Sequence, residues 1–174
     1  MDLTRTILEL IDMRSFSSLW YWIAVAVTWS SASHWVLGVP YDMVLRARRL
    51  GELEIRDLQD ITRANINRII YVTEEAGMML IGIGSFFLTV LAILGFFYGV
   101  ELCQAVFLLA LPLTFVGLLS VRAARRIRAT DSQGAMLMRD LSRHRIMVQL
   151  IGMIAIAVTA LWGMLQLFNV SPIG

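Results

Sequence analysis

The sequence predicts an all-α integral membrane protein, a four-helix bundle with a tight helical hairpin and an amphipathic loop helix. Three observations predict this fold: four long apolar segments, arginines grouped between them, and a short polar break within the longest apolar run. The segments cover residues 19–39, 76–99, 102–121 and 146–168. A helix needs about 20 apolar residues to cross a hydrocarbon core about 30 Å thick, so each segment is long enough for one span.

The composition fits one membrane domain that covers residues 1–174. Of these residues 58% are hydrophobic, and four spans leave too little chain for a separate soluble domain. The single cysteine, Cys103, excludes an intramolecular disulfide, and no Cys or His spacing indicates a metal site. Every basic residue is an arginine, which is typical of a bacterium with a GC-rich genome.

The arginines predict the orientation in the membrane. Thirteen of the fifteen lie in two connections, residues 40–75 and 122–145. Positively charged connections remain on the cytoplasmic side, so these two face the cytoplasm and both termini face outward. The break around residues 99–101 then forms the hairpin between spans two and three on the outer side. These features predict a multi-pass protein of the bacterial inner membrane.

Seven arginines directly flank the spans and are candidate contacts for anionic lipids. Basic residues in such positions attract an anionic membrane surface by about 1 kcal/mol each. The default interpretation is that they fix the topology, and binding of an acidic partner is a further alternative. The seven are Arg46, Arg48, Arg49, Arg122, Arg125, Arg126 and Arg128.

An amphipathic helix is predicted from Glu52 onward, and it runs on into span two. A short basic helix precedes it and ends at Gly51, and another short surface helix is predicted over residues 2–13. The apolar face of the longer helix has no obvious cover from any other loop of the chain, so it is the candidate docking surface for a partner protein. Its apolar residues are Ile55, Leu58, Ile66 and Ile69.

Small residues at three- and four-residue spacing predict where helices pack closely in the membrane. Lipid provides no hydrophobic driving force between helices, so close approach of backbones takes its place. Span two carries Gly82, Ser85 and Thr89, its end carries the Gly95/Gly99 pair, and span four carries Ala155, Thr159 and Gly163.

His34 is the most distinctive single residue, because ionisable residues are uncommon inside spans and are often functional. It lies near the cytoplasmic end of span one, and its presence there has two interpretations. In the favoured one it is structural, and we expect no cofactor. In the other it ligates a haem or chlorin, with His144 on the same membrane face and Arg143 and Arg145 beside the propionates.

No catalytic motif, phosphate-binding loop or carboxylate pair is present, so we expect no enzymatic activity. The expected function is that of a non-enzymatic accessory or assembly subunit of a larger inner-membrane complex, respiratory or photosynthetic. Its partners would be membrane lipids and that complex, and no nucleic acid. A small carrier or channel is one alternative, although Thr28, Ser31 and His34 are its only polar path. A haem- or pigment-binding protein that uses His34 is the other.

Two stretches carry a resemblance to a known group of proteins. They are the run from His34 to Arg49 (HWVLGVPYDMVLRARR) and the run from Asn65 to Tyr71 (NINRIIY). They resemble a group of small, four-span alphaproteobacterial membrane proteins, some of which are labelled "component of SufBCD complex". That label implies a role in iron–sulfur cluster assembly.

Overall fold

The computed structural model describes residue 16 and residues 18–170, with the side chains up to residue 166. The described chain is all-α apart from one two-residue strand pair, which confirms the all-α part of the predicted fold. In chain order the elements are α1 (Leu19–His34), β1 (Trp35–Val36), β2 (Val39–Pro40), α2 (Tyr41–Leu50), α3 (Glu52–Ala92), a π-helical turn (Ile93–Phe97), α4 (Glu101–Thr130) and α5 (Gly134–Val170). The surface helix predicted over residues 2–13 lies outside the described residues.

Within the described residues, three helices are long and apolar enough to cross a membrane: α3 with its π-helical turn, α4 and α5. Helix α1 is apolar but has only 16 residues. At 1.5 Å per residue it is about 24 Å long, which is less than a hydrocarbon core of about 30 Å. The first predicted segment, residues 19–39, was therefore too long as a helix, because α1 ends at His34.

A tight β-hairpin ends α1. Its strands pair antiparallel, and the two residues between them, Leu37 and Gly38, have φ values of +53° and +77°. Positive φ at both central positions is the signature of a type I′ turn, for which glycine is well suited. Asn65 on α3 holds this turn, since its side-chain amide donates a hydrogen bond of 3.0 Å to the carbonyl of Gly38.

The two connections predicted as loops, residues 40–75 and 122–145, are mostly helical. Helix α3 continues from Glu52 to Ala92, which confirms that the amphipathic helix runs on into the second apolar segment. Helix α2 ends before Gly51, also as predicted, and the φ of +106° at Gly51 suits a residue without a side chain. Only residues 131–133 separate α4 from α5.

Residues 35–75 and 122–145 together form what we call the polar half. Its buried apolar side chains form one cluster, contributed by the hairpin, α2, the start of α3, the end of α4 and the start of α5. Charged side chains surround this cluster, and all seven arginines of the lipid-contact prediction are exposed. The cluster consists of Val36, Leu37, Val39, Val44, Ala47, Leu58, Ile66, Ile70, Ala124, Ile127, Leu137 and Leu141.

Residues 18–34, 76–121 and 146–166 form the apolar half. Its own core cluster contains only Val25, Trp29 and Ala155, with a few partly buried neighbours. Many large apolar side chains remain exposed, and Met78 is 90% exposed. Such a surface is typical of helices that face lipid. The fold therefore consists of long helices. At one end they share a hydrophobic core like that of a water-soluble protein, and at the other end they expose an apolar surface.

Candidate functional site

The predicted docking face of α3 is not free. Leu58 is 1% exposed and Ile66 is 4% exposed, both within the core of the polar half. Ile55 and Ile69 are partly buried against the same cluster. The premise that no other part of the chain covers this apolar stripe is therefore wrong, because α2, the end of α4 and the start of α5 cover it. The sequence predicted a short basic helix at α2 and loops at the other two segments, and it did not place any of the three against this face.

The small residues of α5 pack against α1. Thr159 is 3% exposed and Ala155 is 8% exposed. A Cβ added at Gly163 would lie 3.1 Å from the side chain of Phe16, and one added at Gly152 would lie 2.8 Å from the Trp29 indole. These contacts place α1 along α5. Gly152 belongs to this surface as well, although the sequence analysis did not select it.

The small residues near the end of α3 have two different environments. A Cβ added at Gly95 would lie 2.9 Å from the backbone nitrogen of Gln104, so this glycine permits close approach of the π-helical turn to α4. Gly99 has a φ of +72° in the connection to α4 and is a turn glycine. Gly82, Ser85 and Thr89 are exposed, and a Cβ at Gly82 would meet nothing within 4 Å. No described part of this chain covers that stripe.

A buried polar network lies beside Gly95. The side chain of Gln104, 5% exposed, donates a hydrogen bond of 2.8 Å to the carbonyl of Gly95. Its carbonyl oxygen accepts hydrogen bonds from Trp162 at 3.0 Å and from Gln166 at 2.9 Å. Gln104 thus links the π-helical turn, α4 and α5. A lone glutamine within an apolar segment was the available sequence signal for this site.

Two of the predicted lipid-contact arginines, Arg122 and Arg126, line a small cavity of about 140 Å³ together with Arg143, Asp140 and His144. His144 is 3% exposed, and its Nε2 lies 3.2 Å from the Ser120 hydroxyl.

The other five arginines of that prediction have different surroundings. Arg46 lies 3.8 Å from Asp42, in an exposed ion pair. Arg48 donates a hydrogen bond of 2.7 Å to Ser142. Arg49, Arg125 and Arg128 are exposed on the polar half. The structure therefore brings only two of the seven arginines into a common cavity.

His34 lies at the end of α1, exposed, in an open groove of about 680 Å³ between α1 and α5. Ser30 and Ser33 line the groove beside it, and Arg145 and Gln149 line it from α5. The stripe predicted for a polar path, Thr28 and Ser31, does not belong to this groove.

The structure does not bring the two histidines together. The groove that contains His34 is not lined by His144, which lies in the cavity beside Ser120. Within the described part of the chain no cluster of three or more His, Cys, Asp or Glu side chains suits a metal ion. The chemistry that this groove offers is hydrogen bonding and positive charge.

Arg145 is held in the groove by a neighbouring aromatic ring. Its guanidinium carbon lies 3.8 Å from the centroid of the Tyr41 ring. A hydrogen bond with Ser142 is the largest cause that lowers the pKa of the Tyr41 hydroxyl, and Arg145 contributes to the same direction. The phenol and the guanidinium therefore form one connected unit where α2 meets α5.

Comparisons of this chain with protein-family models, with curated proteins and with solved structures gave no match.

Proposed function

We propose that this protein is a non-enzymatic accessory or assembly subunit of a larger inner-membrane complex, and that it docks through the small-residue face of α3. The observation that carries the proposal is the stripe of Gly82, Ser85 and Thr89, which is exposed and has open space at Gly82. The comparable stripe on α5 is already occupied by α1, and the apolar stripe of the polar half is covered by the chain itself.

In the membrane, a contact at this stripe depends on how closely a second helix can pack against it. Apolar side chains gain nothing by leaving lipid for another helix, so association depends on close packing and hydrogen bonds. A helix that presents small residues permits the backbone of a second helix to approach closely. Thr89 donates its hydroxyl hydrogen bond to the carbonyl of Ser85, so it adds no unpaired donor to such a contact. The stripe thus suits a second helix better than it suits lipid tails.

The proposed arrangement in the membrane is a four-span bundle in the bacterial inner membrane, with both termini outside. Helix α1 is the shortest span of this arrangement, and it lies along α5, because its Trp29 and the preceding Phe16 pack against Gly152 and Gly163. The three-residue connection between the π-helical turn and α4 forms the outer hairpin. The exposed arginines of the polar half then face the cytoplasm.

A bulky double variant tests the docking face. Gly82→Leu with Ser85→Leu fills the stripe, so we expect the complex to be lost from blue-native gels of native membranes while the protein stays inserted. The matched control is Ile83→Phe with Phe87→Trp, which adds bulk at exposed positions of the same helix, about 100–160° around the helix from Gly82 and Ser85. If both variants retain every partner in mass spectrometry of the purified complex, the proposal is wrong.

A further inference from the structure

Arg145 is a partly buried cation at the boundary between the polar and apolar halves. Its Nε is buried and has no hydrogen-bond partner within the described residues. The only ion pair among those residues joins Arg46 to Asp42, so no described carboxylate lies within 4.0 Å of Arg145. Burying a charge is costly unless an opposite charge or hydrogen bonds compensate it. Stacking on Tyr41 orients the guanidinium but does not neutralise it.

The groove beside Arg145 changes in character along its length. At one end it is lined by donors and acceptors: His34, Ser30, Ser33 and Gln149. At the other end it is lined by apolar side chains that continue into the apolar half: Ala26, Trp29, Met153 and Ile156, with Gly152 between them.

The order of these residues gives the groove a direction. Arg145 and Ile156 are eleven residues apart on α5, which corresponds to about 16 Å of helix. Among the described residues, no acidic side chain lines the groove. One end of the groove is therefore cationic and the other end is apolar. The distance between them matches the length of a lipid headgroup with the first part of an acyl chain.

We propose that this groove binds an anionic phospholipid. Its phosphate pairs with Arg145 and accepts hydrogen bonds from His34 and the neighbouring serines, and one acyl chain lies along Trp29, Gly152 and Ile156. The site is distinct from the small-residue face of α3, because it lies between α1 and α5. It is also distinct from the cavity lined by Arg122 and Arg126, which opens beside His144.

Native mass spectrometry of the full chain in detergent tests the proposal, with phosphatidylglycerol, phosphatidylcholine or inorganic phosphate added. We expect one phosphatidylglycerol to bind in preference to phosphatidylcholine, and inorganic phosphate not to bind. Arg145→Gln should weaken phosphatidylglycerol binding by about tenfold or more, because a charge-assisted contact is lost. Arg56→Gln is the matched control: it removes one exposed arginine that lies outside the groove and is not among the seven candidate lipid contacts, so it should leave binding unchanged.

A second variant keeps the charge and fills the tail end of the groove. Ile156→Trp should weaken phosphatidylglycerol binding to a similar extent, and it decides the matter if Arg145→Gln does not fold by circular dichroism. The proposal is overturned if the wild type binds both lipids equally, if inorganic phosphate alone binds, or if Ile156→Trp binds phosphatidylglycerol like the wild type. Equal loss in Arg56→Gln and Arg145→Gln would also overturn it, since attraction would then come from net charge alone.

Discussion

The polar and apolar halves of this protein share the three long helices α3, α4 and α5 but are held together differently. In the polar half, Leu58 and Leu141 are almost completely buried and belong to a cluster of twelve side chains. In the apolar half the cluster has three members, and the contacts are close approaches such as Gly95 to Gln104. The apolar half also buries a polar side chain, Gln104, which has three hydrogen-bond partners from α5 and the π-helical turn.

The difference follows from the solvent around each half. Water drives apolar side chains into a shared core, with a gain of about 25 cal/mol for each Å² buried. Lipid tails are as apolar as the side chains, so in the membrane only packing and hydrogen bonding distinguish one helix contact from another. The free energy of unfolding should therefore depend on large apolar residues in one half and on small or polar residues in the other.

The largest effect is expected for Leu58→Ala in the polar half. Leu58 is 1% exposed, and removing its side chain leaves a cavity in a core that contains Val44, Ile127 and Leu141. The free energy of unfolding should fall by about 2–5 kcal/mol. Titration with sodium dodecyl sulfate, followed by circular dichroism in mixed micelles, measures the change.

Leu53→Ala is the control for that substitution, because Leu53 lies on the same helix and is 73% exposed. Its change should be within about 0.5 kcal/mol. Equal effects of the two substitutions would mean that the stripe of α3 is not covered by this chain. In that case the docking surface predicted from the sequence would be available after all.

A smaller effect is expected for Gly95→Ala in the apolar half. The added methyl group would lie 2.9 Å from the backbone nitrogen of Gln104, and backbone cannot move aside as a flexible side chain can. Such overpacking costs about 1–3 kcal/mol. Gly82→Ala is the control, since nothing lies within 4 Å of the added atom, and it should be neutral or stabilising by up to about 1 kcal/mol. If Gly82→Ala lowered the free energy of unfolding of the purified protein, the expected difference between the two glycines would be contradicted.

Much of the fold was predictable because length and hydropathy identify long membrane helices. The helix from Glu52 into the second apolar segment was predicted from amphipathic spacing followed by an apolar run, and it is confirmed. The end of α1 was missed, since Trp35–Val39 continues the apolar segment in composition. Only Gly38 marks the reversal, and its turn depends on Asn65, which is distant in sequence.

The candidate sites were less predictable, because each depends on which helices meet. The sequence placed Arg145 and His34 near the same membrane face, but it did not show that α1 lies along α5 and places both in one groove. Likewise, the spacing of small residues is similar on α3 and α5, so the sequence pattern did not distinguish these two surfaces. Only the packed structure shows that Gly163 meets Phe16, whereas Gly82 meets no described residue.

The smallest effect is expected for Trp162→Phe, which removes one hydrogen bond from the polar network of the apolar half. The carbonyl oxygen of Gln104 keeps its bond from Gln166, and phenylalanine retains a ring edge against Phe96, now 5.3 Å away between centroids. Hydrogen bonds between membrane helices contribute on average about 0.6 kcal/mol, with a maximum of about 1.7 kcal/mol. We therefore expect a loss of that size by the same detergent titration. The control is Trp20→Phe, because Trp20 is 77% exposed and should give no measurable change. A loss for Trp162→Phe as large as that for Leu58→Ala would contradict the proposed difference between the halves. The polar network of the apolar half would then stabilise the protein as much as the hydrophobic core of the polar half does.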